Sequence, residues 1–148
     1  MTTGLLIIAH APLASALRAC VLHVYPDADQ TIAALDVPPQ EPPAETLEAA
    51  RQLAHTLGTP RLLVLTDVFG ATPSNVAQKL VDGVHSRLVA GVNLPMLLRT
   101  VNYLGDELDV LVNRAVVGGT QCIMQVTASA PQNQIKNYHD STHRDHHQ

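Results

Sequence analysis

The chain has 148 residues, 46 % of them apolar, and a formal net charge of −4, which fits a single globular domain with a core of its own. Aromatics make up 3 % and Trp is absent, so that core is built from Ala, Val, Leu and Ile, a bias that suits a parallel sheet buried on both faces. No Lys/Arg run is present and stacking aromatics are scarce, which argues against nucleic-acid binding, and no stretch approaches the roughly 20 apolar residues that span a bilayer.

The first twenty residues are apolar and end in Leu17-Arg18-Ala19-Cys20, loosely like a lipoprotein cleavage site. They lack a basic leading region, and His10 and Pro12 interrupt the run, so the expectation is a cytoplasmic protein without a leader. Gly4 to Ala9 (GLLIIA) reads as a buried strand ending at His10. Pro12 suits a helix start, and Leu13, Ala16, Leu17, Cys20, Val21 and Val24 follow at helical spacing until Tyr25-Pro26-Asp27. Gln30 to Val37 is a second strand, and Pro38, Pro39, Pro42 and Pro43 make an extended loop. Ala44 to Leu57 is an amphipathic helix capped by Gly58.

Arg61 to Thr66 (RLLVLT) is the strongest strand and ends at Asp67. Gly70-Ala71 closes a tight loop, and Thr72-Pro73 reads as an N-cap followed by Pro at the first helical position. That helix runs to about Asp82. Arg87 to Val92 is a further strand ending at Asn93, and Leu94 to Leu104 and Glu107 to Val117 are helices. Gly118-Gly119 breaks the second of these, and Thr120 to Val126 (TQCIMQV) reads as a last strand. Cys20 and Cys122 lack a CxxC partner or a His at metal spacing and read as small buried hydrophobes.

From Thr127 the apolar period is lost, so residues 1–126 are expected to form the domain and 127–148 a disordered tail. Four of the eight histidines, His139, His143, His146 and His147, fall in that tail, where a solvated segment is favoured over a metal site. His23, His55 and His85 have no evident partners and read as structural or surface residues.

Strands alternating with helices predict an α/β, doubly wound, mostly parallel sheet with right-handed crossovers and helices on both faces. The common small arrangement has the order 2-1-3-4, with its switch point between strands 1 and 3. His10 closes the first of those strands and Asp67 the second, so the topology brings an imidazole and a carboxylate together. Either residue alone is ordinarily a strand-end or turn residue; both at a switch point indicate a site.

A neutral imidazole is a competent nucleophile near neutral pH. A carboxylate on one ring nitrogen fixes the tautomer and balances the charge the ring gains on phosphorylation. The helix start at Gly70, Ala71 and Thr72 supplies backbone N–H groups and a hydroxyl for a phosphoryl group. No GxxxxGK[ST] or GxSxG motif is present, and the first strand has no acidic pair for Mg²⁺. The inventory points to a phosphohistidine carrier that uses no nucleotide, metal or other cofactor.

Three segments, GLLIIAH with His10, LTDVFGATPSN at 65–75 and GVNLPML at 91–97, resemble the IIA component, mannose family, of the bacterial phosphoenolpyruvate-dependent sugar phosphotransferase system. The resemblance covers residues 3–126. It implies that His10 receives phosphate from the phosphocarrier protein HPr, on Nε2, while Asp67 bonds the other nitrogen. It further implies transfer to a IIB component for carbohydrate uptake, with peripheral contact to membrane transporter components. It implies a homodimer too, with the last strand antiparallel and exchanged between subunits; pairing of a bare sheet edge argues for the same dimer.

Where the family's loop often reads Gly-Gly-Ser-Pro, this chain has Gly70-Ala71-Thr72-Pro73, and Ala71 is the less permissive residue. Many relatives continue into a fused IIB domain, and Ala130-Pro131-Gln132 resembles the opening of such a linker. Two other readings compete. One is a stand-alone regulatory phosphoprotein whose His10 state signals to a partner. The other is the related phosphotransfer subunit of dihydroxyacetone kinase, which the second and third segments fit less well.

Overall fold

Four aliphatic runs form four parallel strands: β1 (Thr3–His10), β2 (Ile32–Val37), β3 (Arg61–Thr66) and β4 (Ser86–Ala90), in the spatial order β2-β1-β3-β4. β1 pairs with β2 in the register Ala9↔Asp36 and His10↔Val37, and with β3 in the register Ile7↔Leu65 and Ile8↔Thr66. The doubly wound arrangement therefore agrees with the one expected. The structure is a computed structural model and describes residues 1–128.

The period of two along the buried strands divides the core. Leu5, Ile7 and Ala9 of β1 and Leu63 and Leu65 of β3 pack with residues of α1 (Leu13–Val24), α4 (Leu94–Val101) and α5 (Leu108–Thr120). Leu6, Ile8 and Val64 face the other way, onto Ala50 of α2 (Pro43–Leu57) and Ala77 of α3 (Thr72–Leu80). Every large side chain in the middle of β1 is fully buried, so the strand cannot slip by one residue without exposing this set.

By the same parity His10 belongs to the α2–α3 side. A 3-10 turn at Pro26–Gln30 links α1 to β2. Among the described residues no helix is long and apolar enough to cross a membrane.

Three sequence expectations need correction. The first concerns Gly118-Gly119, which does not break α5: the helix continues to Thr120. Both glycines are buried where α5 lies against α4; a Cβ on Gly118 would sit 2.9 Å from Arg99 Cβ, and one on Gly119 would sit 2.7 Å from Met96 Cε. Close packing outweighs the roughly 1 kcal/mol that each glycine costs in a helix.

With Thr120 in the helix, residues 121–128 form no strand, and Ile123, Met124 and Val126 are exposed. β-propensity alone does not make a strand: the segment pairs with neither of the open edges of the sheet, at β2 and β4.

The second correction is one residue of phase. The N-cap of α3 is Ala71, so Thr72 and Pro73 are the first two helical residues. The third is Cys20, which is exposed, while Cys122 is half-buried and donates its S–H to the Gly119 carbonyl. The expected tail lies beyond the described residues from 129 onward, and with it His139, His143, His146 and His147.

Candidate active site

The carboxyl ends of β1 and β3 bring His10 and Asp67 into contact. His10 Nδ1 lies 2.6 Å from Asp67 Oδ2, and the same oxygen accepts the His10 backbone N–H at 3.0 Å. Asp67 Oδ1 accepts the backbone N–H of Val68 at 2.9 Å. An ionised carboxylate only accepts, so the ring proton sits on Nδ1 and the lone pair on Nε2. Nε2 has no hydrogen-bond partner among the described residues.

The His10 side chain is 50 % exposed and that of Asp67 12 %, so the nucleophilic nitrogen faces out while its orienting group is sheltered. Burial alone raises the pKa of Asp67. The hydrogen bonds from the His10 ring, the His10 amide and the Val68 amide outweigh it, and the carboxyl titrates below its ordinary value of 3.8.

His10 opens onto a crevice of about 540 Å³ walled by Pro38, Pro39, Pro42 and Pro43, with Glu41 and Thr72. The proline loop, whose turn is closed by a Glu41 N–H to Pro38 C=O bond of 3.3 Å, forms the β2 wall. The start of α3 forms the opposite side.

Two other helix starts at this end of the sheet are filled by side chains: Asn93 Oδ1 accepts the Met96 N–H at 2.9 Å in α4, and the Asp36 carboxylate accepts the Ser15 N–H at 3.0 Å in α1. The start of α3 has no side-chain cap, which leaves its N–H groups for an anion.

The loop residues singled out from the sequence divide by role. Gly70 has φ +91°, a conformation that favours glycine. Ala71 has φ −92° and ψ 172°, extended backbone that alanine adopts without strain, so the replacement of Gly there leaves the turn intact. Thr72 shares the crevice with His10, whereas Gly70 and Ala71 are not among its lining residues.

Sequence reasoning missed Asp36, the last residue but one of β2, and missed the exposure of Val68 and Phe69 next to Asp67. The signal for the first was a polar residue at a strand end beside the switch point. The GVNLPML segment has a structural role: Asn93 caps α4 and donates from Nδ2 to the Gly119 carbonyl at 2.9 Å, tying the start of α4 to the end of α5.

The family model described as "PTS system fructose IIA component" matches residues 4–116. The chain belongs to this family. This IIA chain is 38 % identical over 90 residues to the PTS system mannose-specific EIIAB component of Escherichia coli K12, and equally to that of Shigella flexneri. The alignment covers 57 % of this chain and 28 % of those proteins, so the IIA chain spans a little over a quarter of their length.

Among solved structures it is similar to the mannose/sorbose-specific IIA subunit from Enterococcus faecalis (TM-score 0.78, 21 % identity, 88 % of this chain and 98 % of that one). It is similar also to the PTS IIA protein associated with the fucose utilization operon of Streptococcus pneumoniae (TM-score 0.72, 20 % identity, 84 % and 96 %). At these identities the two structures bear on the fold alone.

Proposed function

We propose that this IIA chain is a phosphocarrier that accepts a phosphoryl group from phospho-HPr on His10 Nε2 and passes it to a IIB component for carbohydrate uptake. The observation that carries this reading is the 2.6 Å contact between Nδ1 and Asp67, which directs the free lone pair of a half-exposed imidazole outward. As the Nε2–P bond forms, the bond from phosphorus to the donor breaks, and the Asp67 carboxylate balances the charge gained by the ring. The uncapped start of α3 and the Thr72 hydroxyl offer hydrogen-bond donors to the phosphoryl oxygens.

Proteins rather than small molecules are the partners in this reading. Val68 and Phe69, 51 % and 73 % exposed, form an apolar rim beside Asp67 that a macromolecular surface would cover. The IIA unit is residues 1–126. Its exposed segment 121–126, beyond the end of α5, would pair as a strand exchanged in a homodimer, which accounts for apolar side chains left uncovered in the single chain.

Mixing the protein with enzyme I, HPr and labelled phosphoenolpyruvate tests the assignment: wild type takes an acid-labile, alkali-stable label and His10→Ala takes none. Full labelling of His10→Ala overturns it. Light scattering on a chain truncated at residue 119 tests the dimer, which should dissociate, while truncation at 126 should leave it intact.

A further inference from the structure

The turn that carries His10 is held from both neighbouring strands. On the β3 side stands Asp67. On the β2 side the Ala11 N–H donates to the Val37 carbonyl at 3.1 Å, and Asp36 takes two bonds from the first turn of α1: the Ser15 N–H on Oδ1 at 3.0 Å and the Ser15 hydroxyl on Oδ2 at 2.5 Å. The helix supplies no cap of its own, because its N-cap is Pro12, which has neither a side-chain acceptor nor an N–H. A strand-borne carboxylate therefore does the work of an N-cap, where the helix dipole favours negative charge.

Parity separates this carboxylate from the imidazole. Asp36 follows Ile32 and Ala34, which pack on the α1 side, whereas His10 follows Leu6 and Ile8 on the α2–α3 side. Asp36 thus has no bond to the ring and acts only through the turn His10–Ala11–Pro12. The Ser15 hydroxyl, whose single proton goes to Asp36, also lies 3.2 Å from the Pro12 carbonyl, and the Ala16 N–H donates to that carbonyl at 3.1 Å, which ties the first turn of α1 to Pro12. The direction of the His10 Cα–Cβ bond is then set by two carboxylates carried by the strands on either side of β1.

We propose that Asp36, acting through Ser15, is a positioning residue for His10: it anchors the first turn of α1 so that the His10 amide and ring Nδ1 both reach Asp67 Oδ2. The consequence for transfer rate rests on His10 being the phosphoryl acceptor; the consequence for ring geometry does not.

The test uses the full chain with Asp36→Ala, Ser15→Ala and Ser15→Thr. The ring ¹⁵N signals of His10 report how firmly the proton stays on Nδ1, and labelled phospho-HPr reports kcat and KM. Asp36→Ala should lose the Nδ1–H preference and about tenfold in kcat with KM unchanged, as misplacement of a reacting group does. Ser15→Ala should show a smaller loss of both, and Ser15→Thr, which keeps the hydroxyl, should restore them. Wild-type ring signals in a folded Asp36→Ala overturn the proposal.

If Asp36→Ala does not fold, identical ring signals in Ser15→Ala and wild type overturn it instead. A wild-type protein that takes no label at His10 refutes the phosphocarrier reading, while the ring signals still judge Asp36.

Discussion

Two short runs of β-forming residues, Arg61–Thr66 and 120–126, look alike in sequence and end differently. The first becomes β3, with β1 on one side and β4 on the other, and its last residue sets Asp67 against His10. The second loses Thr120 to α5 and leaves Ile123, Met124 and Val126 in the open. What separates them is their place in the chain rather than residue type: the first is threaded between two strands, and the second follows α5 and pairs with neither open edge of the sheet. A run between two strands is fixed by its own chain, whereas the second run would find its pairing only in the proposed dimer. The His10–Asp67 contact is thus made within one chain, whereas the apolar side chains after α5 are left for the proposed partner copy to cover.

The largest expected effect breaks the comparison at its ordered end. His10→Ala should abolish phosphoryl acceptance, and its circular dichroism should match wild type, because the side chain is half exposed and carries no core contact. Asp67→Asn should slow transfer by about a hundredfold with the label still on His10, since an amide can present the wrong group to Nδ1, as in other orienting carboxylates; an unchanged rate removes Asp67 from the mechanism.

That variant should also alter the acid limb. The folded pKa of Asp67 is depressed, so its contribution is present above 3.8 and is lost as pH falls through the folded value. Acid unfolding of Asp67→Asn should be correspondingly shallower in that range.

Gly119→Val sharpens the comparison at the other end. Its side chain enters space held by Met96, and overpacking of this kind costs about 1–3 kcal/mol, readable as a lower denaturant midpoint. Wild-type stability would mean that the α4–α5 contact is looser than drawn. The smallest effect is Ile123→Ser, expected to change the stability of the single chain by less than about 0.5 kcal/mol while weakening the proposed dimer.

The sheet was legible because GLLIIA and RLLVLT are long enough aliphatic runs to be nothing but buried strands, and topology then placed His10 beside Asp67. Less legible were features that depend on a neighbour distant in sequence. Gly118-Gly119 reads as punctuation until Met96 and Arg99 are known to press on it. Thr72 reads as an N-cap because a hydroxyl before Pro is the usual signature, yet Ala71 takes the position and no side chain caps the helix. Asp36 looks like one more strand residue; its role emerges only when Ser15, on another element, donates to it twice.

One oxygen, Asp67 Oδ2, receives both the amide and the ring of His10. Those two bonds close a small chelate around Cα and Cβ, which leaves the side chain a single rotamer. The imidazole therefore cannot swing toward an incoming protein or follow one as it departs. Its reach is fixed, and in the proposed phosphocarrier reading the approach direction of each partner would be fixed with it. The rotational entropy of the arm is spent during folding rather than at each encounter, so donor and acceptor would have to dock in succession over the same patch of surface.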